Sequence, residues 1–304
     1  MKLTAFMKKF GTDEACRGHL ESVRWPHGPV CDRCGSVNDA TPVSRRPGVY
    51  RCRPCGKDFR VTVGTPMEDS HLPLRTWYLA MYLILASSKG ISSIKLGEHL
   101  GVGQKTAWFL GHRIRAMLDS GDKTLLSGIV EADETYIGGK RRNVRKGTPP
   151  GVRGRGTNKP MLFAALERGG RARTAPIPSA SNEAIDPLLF GWLDRNGVLS
   201  TDELGVYQWF GGKMRHPIAV NHSRGEFARN QRGFRAHVNT TESFFGLFKR
   251  AIVGVWRVIS DKHLDRYGIE HEFRWNHCES DVADRIAHCL IGQHGRLSWK
   301  ELVR

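Results

Sequence analysis

The longest hydrophobic runs of the chain lie between residues 74 and 118, where they predict helices. Leu74–Ser88 is apolar over most of its length and stops at Lys89-Gly90. Ile91–Leu100 and Gln104–Leu118 predict two more helices, joined by a short turn with glycine at both ends. Two helices joined in this way, the second beginning with polar residues, are typical of a helix-turn-helix.

The last of these helices begins with the residues that a helix-turn-helix would turn toward DNA. Gln104, Lys105 and Thr106 are its first three residues and would face a DNA groove. Many helical hairpins bind no nucleic acid, so this pattern alone leaves both possibilities open.

Shorter apolar runs in the second half of the chain predict strands. Ser127–Asp133 is one run that ends in an aspartate, and Val198–Asp202 is another. Two strands at Met161–Leu166 and Thr174–Ile177, and a helix at about residues 182–196, lie between them. An aspartate that closes a strand often only begins a turn. Asp133 and Asp202 are therefore candidates for chemistry only if further acids accompany them.

Residues 239–250 predict a helix that carries a third acid. Glu242 and Lys249 share one face because they lie seven residues, or two turns, apart. The residues available to the core are Phe245, Leu247 and Phe248. With Asn239 as N-cap, Glu242 would nearly complete a capping box, which is the alternative role for this acid.

The order of these elements favours a fold class. A strand with an Asp, a second strand with an Asp and a helix with a Glu follow one another within a β-β-β-α-β-α segment. This is the layout of an RNase H-like core, an α/β fold in which helices flank a mixed sheet. A zinc ribbon and a helix-turn-helix-like segment are expected to precede it.

Net charge indicates the partner. Lys and Arg number 47 against 30 Asp and Glu, so the formal charge is +17 and the sequence pI is about 9.9. This balance favours nucleic acid or an anionic membrane surface. No apolar run reaches the roughly 18 residues that span a bilayer, and the N-terminus lacks a signal-peptide core. We therefore expect a cytoplasmic protein that binds double-stranded DNA and no membrane.

Four of the seven cysteines form two Cys-x-x-Cys pairs, each followed by glycine: Cys31, Cys34, Cys52 and Cys55. Seventeen residues lie between the two pairs. The glycines permit the tight turns that point backbone amides at the thiolates. Val49–Arg51 and Asp58–Val63 predict strands beside the second pair. The spacing predicts one tetrahedral, structural Zn²⁺ in a zinc ribbon. The other cysteines, Cys16, Cys278 and Cys289, have no matching spacing and are expected to serve packing.

Residues 140–159 contain eight basic residues and no acid, with several Gly and Pro. They predict a basic loop or long hairpin. A solvated charge run is the usual interpretation. Because the segment follows Asp133 closely, phosphate contacts are also expected, and the candidate DNA-binding residues are Lys140, Arg141, Arg142, Arg145 and Lys146.

Together these segments resemble a DDE transposase of the IS1595 group, with an ISXO2-like catalytic domain. The resemblance covers nearly the whole chain, including the ribbon and the Val63–Met67 segment after it. Its matching segments are Val130–Gly139, Thr201–Tyr207, His237–Arg250, His263–Tyr267 and Glu272–Asn276.

The resemblance implies that Asp133, Asp202 and Glu242 are the catalytic, metal-binding triad, with Lys249 as an accessory base close to DNA. Three carboxylates held together repel one another unless divalent cations neutralise them, so two Mg²⁺ or Mn²⁺ per site are expected. These would serve strand cleavage at transposon ends and strand transfer into a target. A homodimer or higher oligomer on DNA, at the bacterial nucleoid, is implied by the resemblance.

Polar neighbours leave the ligand set open. Some members of the group use Asn as the third ligand, so Asn239 competes with Glu242, which we prefer because an acid is present at the helical position. Glu131 shares a strand face with Asp133 and is either an extra ligand or only a neighbour. Glu134 and Glu203 point the other way in an extended strand and are not expected to be ligands.

Two other functions fit the same elements. One is a DNA-binding regulator, with a ribbon and a helix-turn-helix attached to an inert core. The other is an RNase H-like nuclease or resolvase, which cuts DNA without joining it.

The expected domains are a zinc-ribbon segment (1–70), a helical DNA-binding region (71–122), a catalytic domain (123–280, with the basic insertion 140–159) and a C-terminal tail (281–304).

Overall fold

The computed structural model describes residues 1–119, 121–138, 159–202, 207, 210, 212–214, 216–220, 228–231, 233–292 and 295–303. Internal contacts divide the chain into two compact units. Residues 1–121 and 279–304 form the first unit, and residues 122–278 form the second. The segment after residue 280 thus belongs to the unit that also contains the N-terminus.

The helices predicted from the sequence are all present, with their ends shifted by a few residues. In the described residues the helices are α1 (Leu3–Lys9), α2 (Asp13–Arg24), α3 (Leu74–Ala86), α4 (Ser93–Leu100), α5 (Gln104–Met117), α6 (Asn182–Trp192), α7 (Asn239–Ala251), α8 (Leu264–Asn276), α9 (Val282–Ile291) and α10 (Trp299–Val303). A π-helical turn, Ile252–Trp256, extends α7, and a 3₁₀ turn, Asp261–His263, precedes α8.

The strands fall into three sheets. In the described residues they are β1 (Ala40–Pro42), β2 (Tyr50–Cys52), β3 (Asp58–Phe59), β4 (Ile129–Tyr136), β5 (Met161–Glu167), β6 (Ala172–Ile177), β7 (Val198–Asp202), β8 (His216–Val220), β9 (Arg229–Gln231) and β10 (Phe234–Ala236). No described helix is long and apolar enough to cross a bilayer.

The small antiparallel sheet β1-β2-β3 lies in the first unit, and Cys52 is the last residue of β2. The predicted strand Asp58–Val63 is wrong beyond Phe59. The carbonyls of Val61 and Val63 instead accept hydrogen bonds from the guanidinium of Arg24, the latter at 3.1 Å. These side-chain contacts satisfy carbonyls that a strand partner would otherwise satisfy.

The predicted helix-turn-helix geometry is present in the first unit. Helix α4 ends at Gly101, which has φ 65°, and its amide donates to the carbonyl of Gly97. A positive φ is strained for residues with a Cβ, so glycine suits this turn. Leu96, Ala107 and Leu110 are buried within the pair.

The prediction that the three cysteines outside the Cys-x-x-Cys motifs serve packing is confirmed for two of them. Cys16 and Cys289 are fully buried, and the Cys289 sulfur lies 3.8 Å from that of Met81 on α3. Burial raises the pKa of the Cys16 thiol to about 12, so this thiol stays neutral. Cys278 is exposed, and for it the prediction is wrong.

In the described residues of the second unit, one sheet has the order β6-β5-β4-β7-β8. β5 runs antiparallel to both of its neighbours, β6 and β4, whereas β7 and β8 run parallel to β4. The parallel crossover into β7 passes through α6, and helices flank the sheet. This mixed sheet confirms the predicted α/β fold with an RNase H-like core.

Apolar layers cover both faces of this sheet. On one face Val130 and Ala132 of β4 pack in a cluster with Ile185 and Leu189 of α6. On the other face lie Leu162, Ala164, Phe244, Phe248 and Tyr267, which join β5 to α7 and α8. In α7 the predicted core residues Phe245 and Phe248 are buried, whereas Leu247 is 37% exposed and Phe244 takes its place. Side chains alternate along β4, so Glu131 and Asp133 face the α7 layer.

Helix α8 is fixed to the outer strand of the sheet by polar contacts. The Glu272 carboxylate accepts from the amide of Thr174 at 2.7 Å and from its hydroxyl at 3.0 Å. The Asn276 side chain accepts from the amide of Ala172 at 2.7 Å and donates to its carbonyl at 3.0 Å. The polar residues of the Glu272–Asn276 segment thus act in packing the helix against β6.

Candidate functional site

The two aspartates lie side by side on adjacent parallel strands. The pairing of β4 with β7 runs from Ile129–Val198 to Glu131–Ser200. Asp133 and Asp202 each come two residues after that last pair, so they occupy equivalent positions. Neighbouring strands lie about 4.8 Å apart. The predicted strand end at Asp133 is wrong, because β4 continues to Tyr136 along its antiparallel partner β5.

The charge of the third acid, Glu242, acts on the Asp133 carboxyl. Burial raises the pKa of the Asp133 carboxyl to about 8, and the charges of Glu134, Asp202 and Glu242 raise it further. A carboxyl whose ionised form is opposed by three acids favours a proton or a bound cation. Asp202 and Glu242 therefore both lie within electrostatic reach of the Asp133 carboxyl.

Glu242 and Lys249 both lie on exposed parts of α7. The helix begins at Asn239, and its N-cap residue is Val238, which makes no side-chain cap. Asn239 is therefore the first helical residue, and its predicted role as N-cap is wrong. The first turn is capped instead by a carboxylate from β4.

That carboxylate belongs to Glu131, which is fully buried. It accepts from the amide of Thr240 at 2.8 Å and the amide of Thr241 at 3.3 Å. The guanidinium of Arg168 donates to it at 2.6 Å. Because these donors occupy its oxygens, Glu131 is a structural neighbour of the acids, which favours the second of the two roles considered from the sequence.

Tyr207 and Glu134 form a contact that sequence patterns do not reveal. The buried Tyr207 hydroxyl donates to the Glu134 carboxylate at 2.5 Å. Burial raises the pKa of Tyr207, as do the charges of Glu134, Asp133 and Asp202. The hydroxyl therefore lies beside the acid cluster. Its only sequence signal is its place five residues after Asp202 in a matching segment. Glu203 lies outside the described residues.

The four paired cysteines converge in the first unit. Their Sγ atoms all lie within 4.8 Å of one another, with Cys31–Cys55 at 3.7 Å and Cys34–Cys52 at 3.5 Å. Tetrahedral Zn²⁺ with bonds of about 2.3 Å requires sulfurs about 3.8 Å apart. The cluster fits the metal, and among the described residues it is the one compact set of such ligand atoms.

Local turns prepare this cluster for a cation. Gly35 (φ 73°) and Gly56 (φ 67°) adopt the left-handed conformation that the predicted knuckles require, and their amides donate to the carbonyls of Cys31 and Cys52. The hydroxyl and amide of Ser36 lower the pKa of the Cys34 thiol to about 6. A thiolate is the form that binds metal.

The candidate DNA-binding residues of α5 are accessible. Gln104, Lys105 and Thr106 are exposed on its first turn. The Gln104 amide donates to the hydroxyl of Ser93 at 3.0 Å, and the Lys105 ammonium lies 5.2 Å from the ring centre of Trp299 on α10. The predicted basic residues Lys140, Arg141, Arg142, Arg145 and Lys146 lie outside the described residues.

Comparisons with known proteins identify both parts of the chain. Residues 125–276 match the ISXO2-like transposase domain, and residues 11–58 match the transposase zinc-ribbon domain. An uncharacterised protein of transposable element ISH50 from Halobacterium salinarum is 28% identical over 260 residues, which cover 80% of this chain and 84% of that protein.

A solved structure, the Mos1 transposase paired-end complex with left transposon end, is 13% identical, with a TM-score of 0.23 over 68% of this chain and 78% of that one. Similarity this low supports no conclusion about the present chain. The domain match, in contrast, spans half of the sequence and includes all three acids. The chain therefore belongs to the ISXO2-like transposase family of insertion sequences.

Proposed function

We propose that this chain cuts DNA at the ends of an insertion sequence and transfers the cut strands into a target, with Asp133, Asp202 and Glu242 as its catalytic acids. The observation that carries this proposal is the equivalent placement of Asp133 and Asp202 on the adjacent parallel strands β4 and β7, with the charge of Glu242 on α7 acting on Asp133.

The donor set of this site suits Mg²⁺ or Mn²⁺. Carboxylate oxygens are the ligands that these hard cations prefer. Burial and the neighbouring acidic charges raise the pKa of Asp133, so a bound cation would stabilise its ionised form. Two such ions, when bound, would supply activation of a water or 3′-hydroxyl nucleophile and stabilisation of the leaving oxygen. We assign Glu242, rather than Asn239, as the third ligand, because the amide of Asn239 adds no charge to a dication site.

Exposed cations near the acids would bind the DNA backbone. Lys249 follows Glu242 by two helical turns, and Arg250, Arg257 and Lys262 are exposed farther along the same stretch. In this role Lys249 holds a phosphate or stabilises negative charge as it develops. Phosphate contacts of this kind give affinity that falls steeply with salt.

The first unit would recognise the element ends. Its ribbon fold is stabilised by Zn²⁺, and the first turn of α5 presents Gln104, Lys105 and Thr106 for the major groove. The basic residues between 140 and 146 would add phosphate contacts. Recombination pairs two DNA ends, so we also propose a homodimer or higher oligomer on DNA, acting in the cytoplasm at the nucleoid.

The test is Mg²⁺-dependent cleavage and joining of a plasmid that carries the cognate terminal repeats. Asp133→Asn, Asp202→Asn and Glu242→Gln should each lower the rate by about 10³-fold or more, because metal-assisted charge stabilisation contributes several kcal/mol. Glu183→Gln changes an exposed carboxylate on α6, on the opposite side of the sheet, and should retain the wild-type rate.

Three results would contradict the proposal in different ways. Full activity in both aspartate variants would show that Asp133 and Asp202 are not catalytic ligands. Cleavage without joining would indicate a nuclease or resolvase. Sequence-specific DNA binding with no cleavage in any divalent cation would indicate a regulator.

A further inference from the structure

A cluster of buried and half-buried polar side chains lies next to the three acids in the chain. We call it the polar node, and its members are Glu131, Arg168, Ser200, His237, Thr240 and Thr241. Glu131, Ser200 and Thr241 have no exposed surface. Buried polar groups are costly unless they are hydrogen-bonded, so a connected group of this size fixes a single geometry.

Glu131 is the centre of the polar node. Besides the two threonine amides, its carboxylate accepts from the hydroxyls of Thr240 at 3.0 Å and Thr241 at 3.4 Å. The ring Nδ1 of His237 lies 3.0 Å from it. Burial lowers the pKa of His237, and the charge of Arg168 lowers it further.

Strand β7 contributes Ser200 to the polar node. Its hydroxyl donates to the carbonyl of His237 at 2.7 Å and accepts from the amide of His237 at 3.3 Å. Arg168 donates to the same carbonyl at 3.1 Å and to that of Arg235 at 2.7 Å. The segment that leads into α7 is therefore held by both a strand residue and a guanidinium.

Four members of the polar node lie one or two residues before an acid in the chain. Glu131 precedes Asp133 by two residues on β4, and Ser200 precedes Asp202 by two residues on β7. Glu131 and Ser200 also form the last residue pair between β4 and β7. Thr240 and Thr241 come directly before Glu242 in the first turn of α7. Hydrogen bonds thus join β4 to the first turn of α7 through Glu131, and β7 to the segment before α7 through Ser200.

We propose that Glu131 is a positioning residue, which sets the separation of the three metal-binding carboxylates by fixing the N-terminus of α7 to β4. A carboxylate also suits the positive end of a helix, so the contact is both directional and charged. This inference rests on the proposed function, because it assigns Glu131 a role toward the same metal site.

The probe is Mn²⁺ alone, titrated into the zinc-loaded full chain and followed by the electron paramagnetic resonance signal of free Mn²⁺. Loss of groups that orient metal ligands costs about 10–100-fold in metal affinity. Glu131→Gln keeps the shape of the side chain but removes its charge, and should raise the Kd for Mn²⁺ by about that factor.

Glu270→Gln is the matched control. Glu270 is also fully buried and is paired with Arg274, but this pair lies within α8. Its substitution removes a buried charge from the same unit without touching the polar node. The Kd for Mn²⁺ should stay within about twofold of wild type, well below the change expected for an orienting residue.

Ser200→Ala provides a second, milder variant if Glu131→Gln does not fold. It leaves Glu131 intact and removes both hydrogen bonds between the Ser200 hydroxyl and the His237 backbone, so the Kd for Mn²⁺ should rise about two- to tenfold.

Asp133→Asn separates the two proposals. If it leaves the Kd for Mn²⁺ unchanged, the metal site itself is wrong. If it weakens binding while Glu131→Gln and Ser200→Ala bind as wild type does, only the positioning role is overturned. Equal weakening by Glu270→Gln would also overturn that role, because the effect would then be general destabilisation.

Discussion

The cysteine site and the acid site are built in opposite ways. The four cysteines lie between residues 31 and 55, and two glycine turns bring them together. The three acids are spread from residue 133 to residue 242 and come from two strands and a helix. Local spacing specifies the first site, whereas the topology of a whole sheet assembles the second.

This difference determines what the zinc and the proposed dications would each do for the protein. A structural zinc contributes its binding free energy to folding, because its ligands have no fixed arrangement in the unfolded chain. At the proposed acid site the fold instead contributes to metal binding, because it must hold repelling carboxylates together before any cation binds. Removing metal should therefore unfold one site and leave the other intact.

Zinc removal is the largest expected effect. Structural zinc in small domains binds with an apparent free energy of about 10–16 kcal/mol, so a strong zinc chelator should unfold residues 31–59. Hydrogen exchange followed by mass spectrometry should show lost protection there. Protection of β4 and β5 should be unchanged, because the second unit has its own apolar core.

Cysteine variants make the same experiment specific. Cys34→Ser should lose bound zinc, whereas Cys278→Ser, which changes an exposed thiol outside the cluster, should retain one zinc per chain. Equal zinc content in both variants would show that the four-cysteine cluster is not the zinc site.

Substitutions on α5 should have intermediate effects and separate charge from base recognition. Lys105→Ala should weaken binding to terminal-repeat DNA and reduce the slope of log K against log salt by about 0.9, the value for one phosphate contact. Gln104→Ala should leave this slope unchanged and reduce discrimination between sequences by about 1–3 kcal/mol.

Fluorescence anisotropy at several salt concentrations, with terminal-repeat and scrambled duplexes, measures both quantities. If neither variant changed binding to either duplex, the helix-turn-helix would be a packing element. The ribbon, or residues outside the described part of the chain, would then be the main contact with the element ends.

The smallest expected effect concerns acid stability of the second unit. His271 on α8 contacts the carbonyl of Phe244 on α7 through Nε2 at 2.9 Å, and burial lowers its pKa to about 4. The unfolded chain takes up this proton near pH 6.5, so the unfolded state binds more protons between about pH 6.5 and pH 4. Stability contributed by neutral His271 is therefore lost as pH falls through this window.

Thermal unfolding of wild type and His271→Gln between pH 8 and pH 4 tests this linkage. The wild-type midpoint should fall more steeply below pH 6.5 than that of the variant, because glutamine has no proton to gain. Parallel curves would show that His271 is not held neutral by the fold.

The sequence predicts the cysteine site almost completely, because every ligand and turn residue lies in one short segment. It also predicts the order of strands and helices that carries the acids. It misses where β4 ends, since antiparallel pairing with β5 extends the strand past Asp133. Strand length here depends on a distant partner, which local composition does not reveal.

The role of Glu131 shows the same limit at the level of one side chain. Alternation along a strand correctly puts Glu131 and Asp133 on one face, and that pattern allows a ligand as readily as a neighbour. Only the fold shows that Arg168 and the first turn of α7 occupy its oxygens. The contact between Tyr207 and Glu134 is equally invisible without coordinates.

The alternation of β4 has a consequence for how copies of such an element decay. Glu131 and Asp133 point toward α7 only because one residue separates them, while Val130 and Ala132 fill the opposite layer. A single inserted codon between residues 131 and 133 would turn Asp133 toward α6 and leave every acid in the reading frame. A copy can thus lose activity although all three acids are still encoded. The number of residues between Glu131 and Asp133 is therefore as informative about whether a copy is active as the acids themselves.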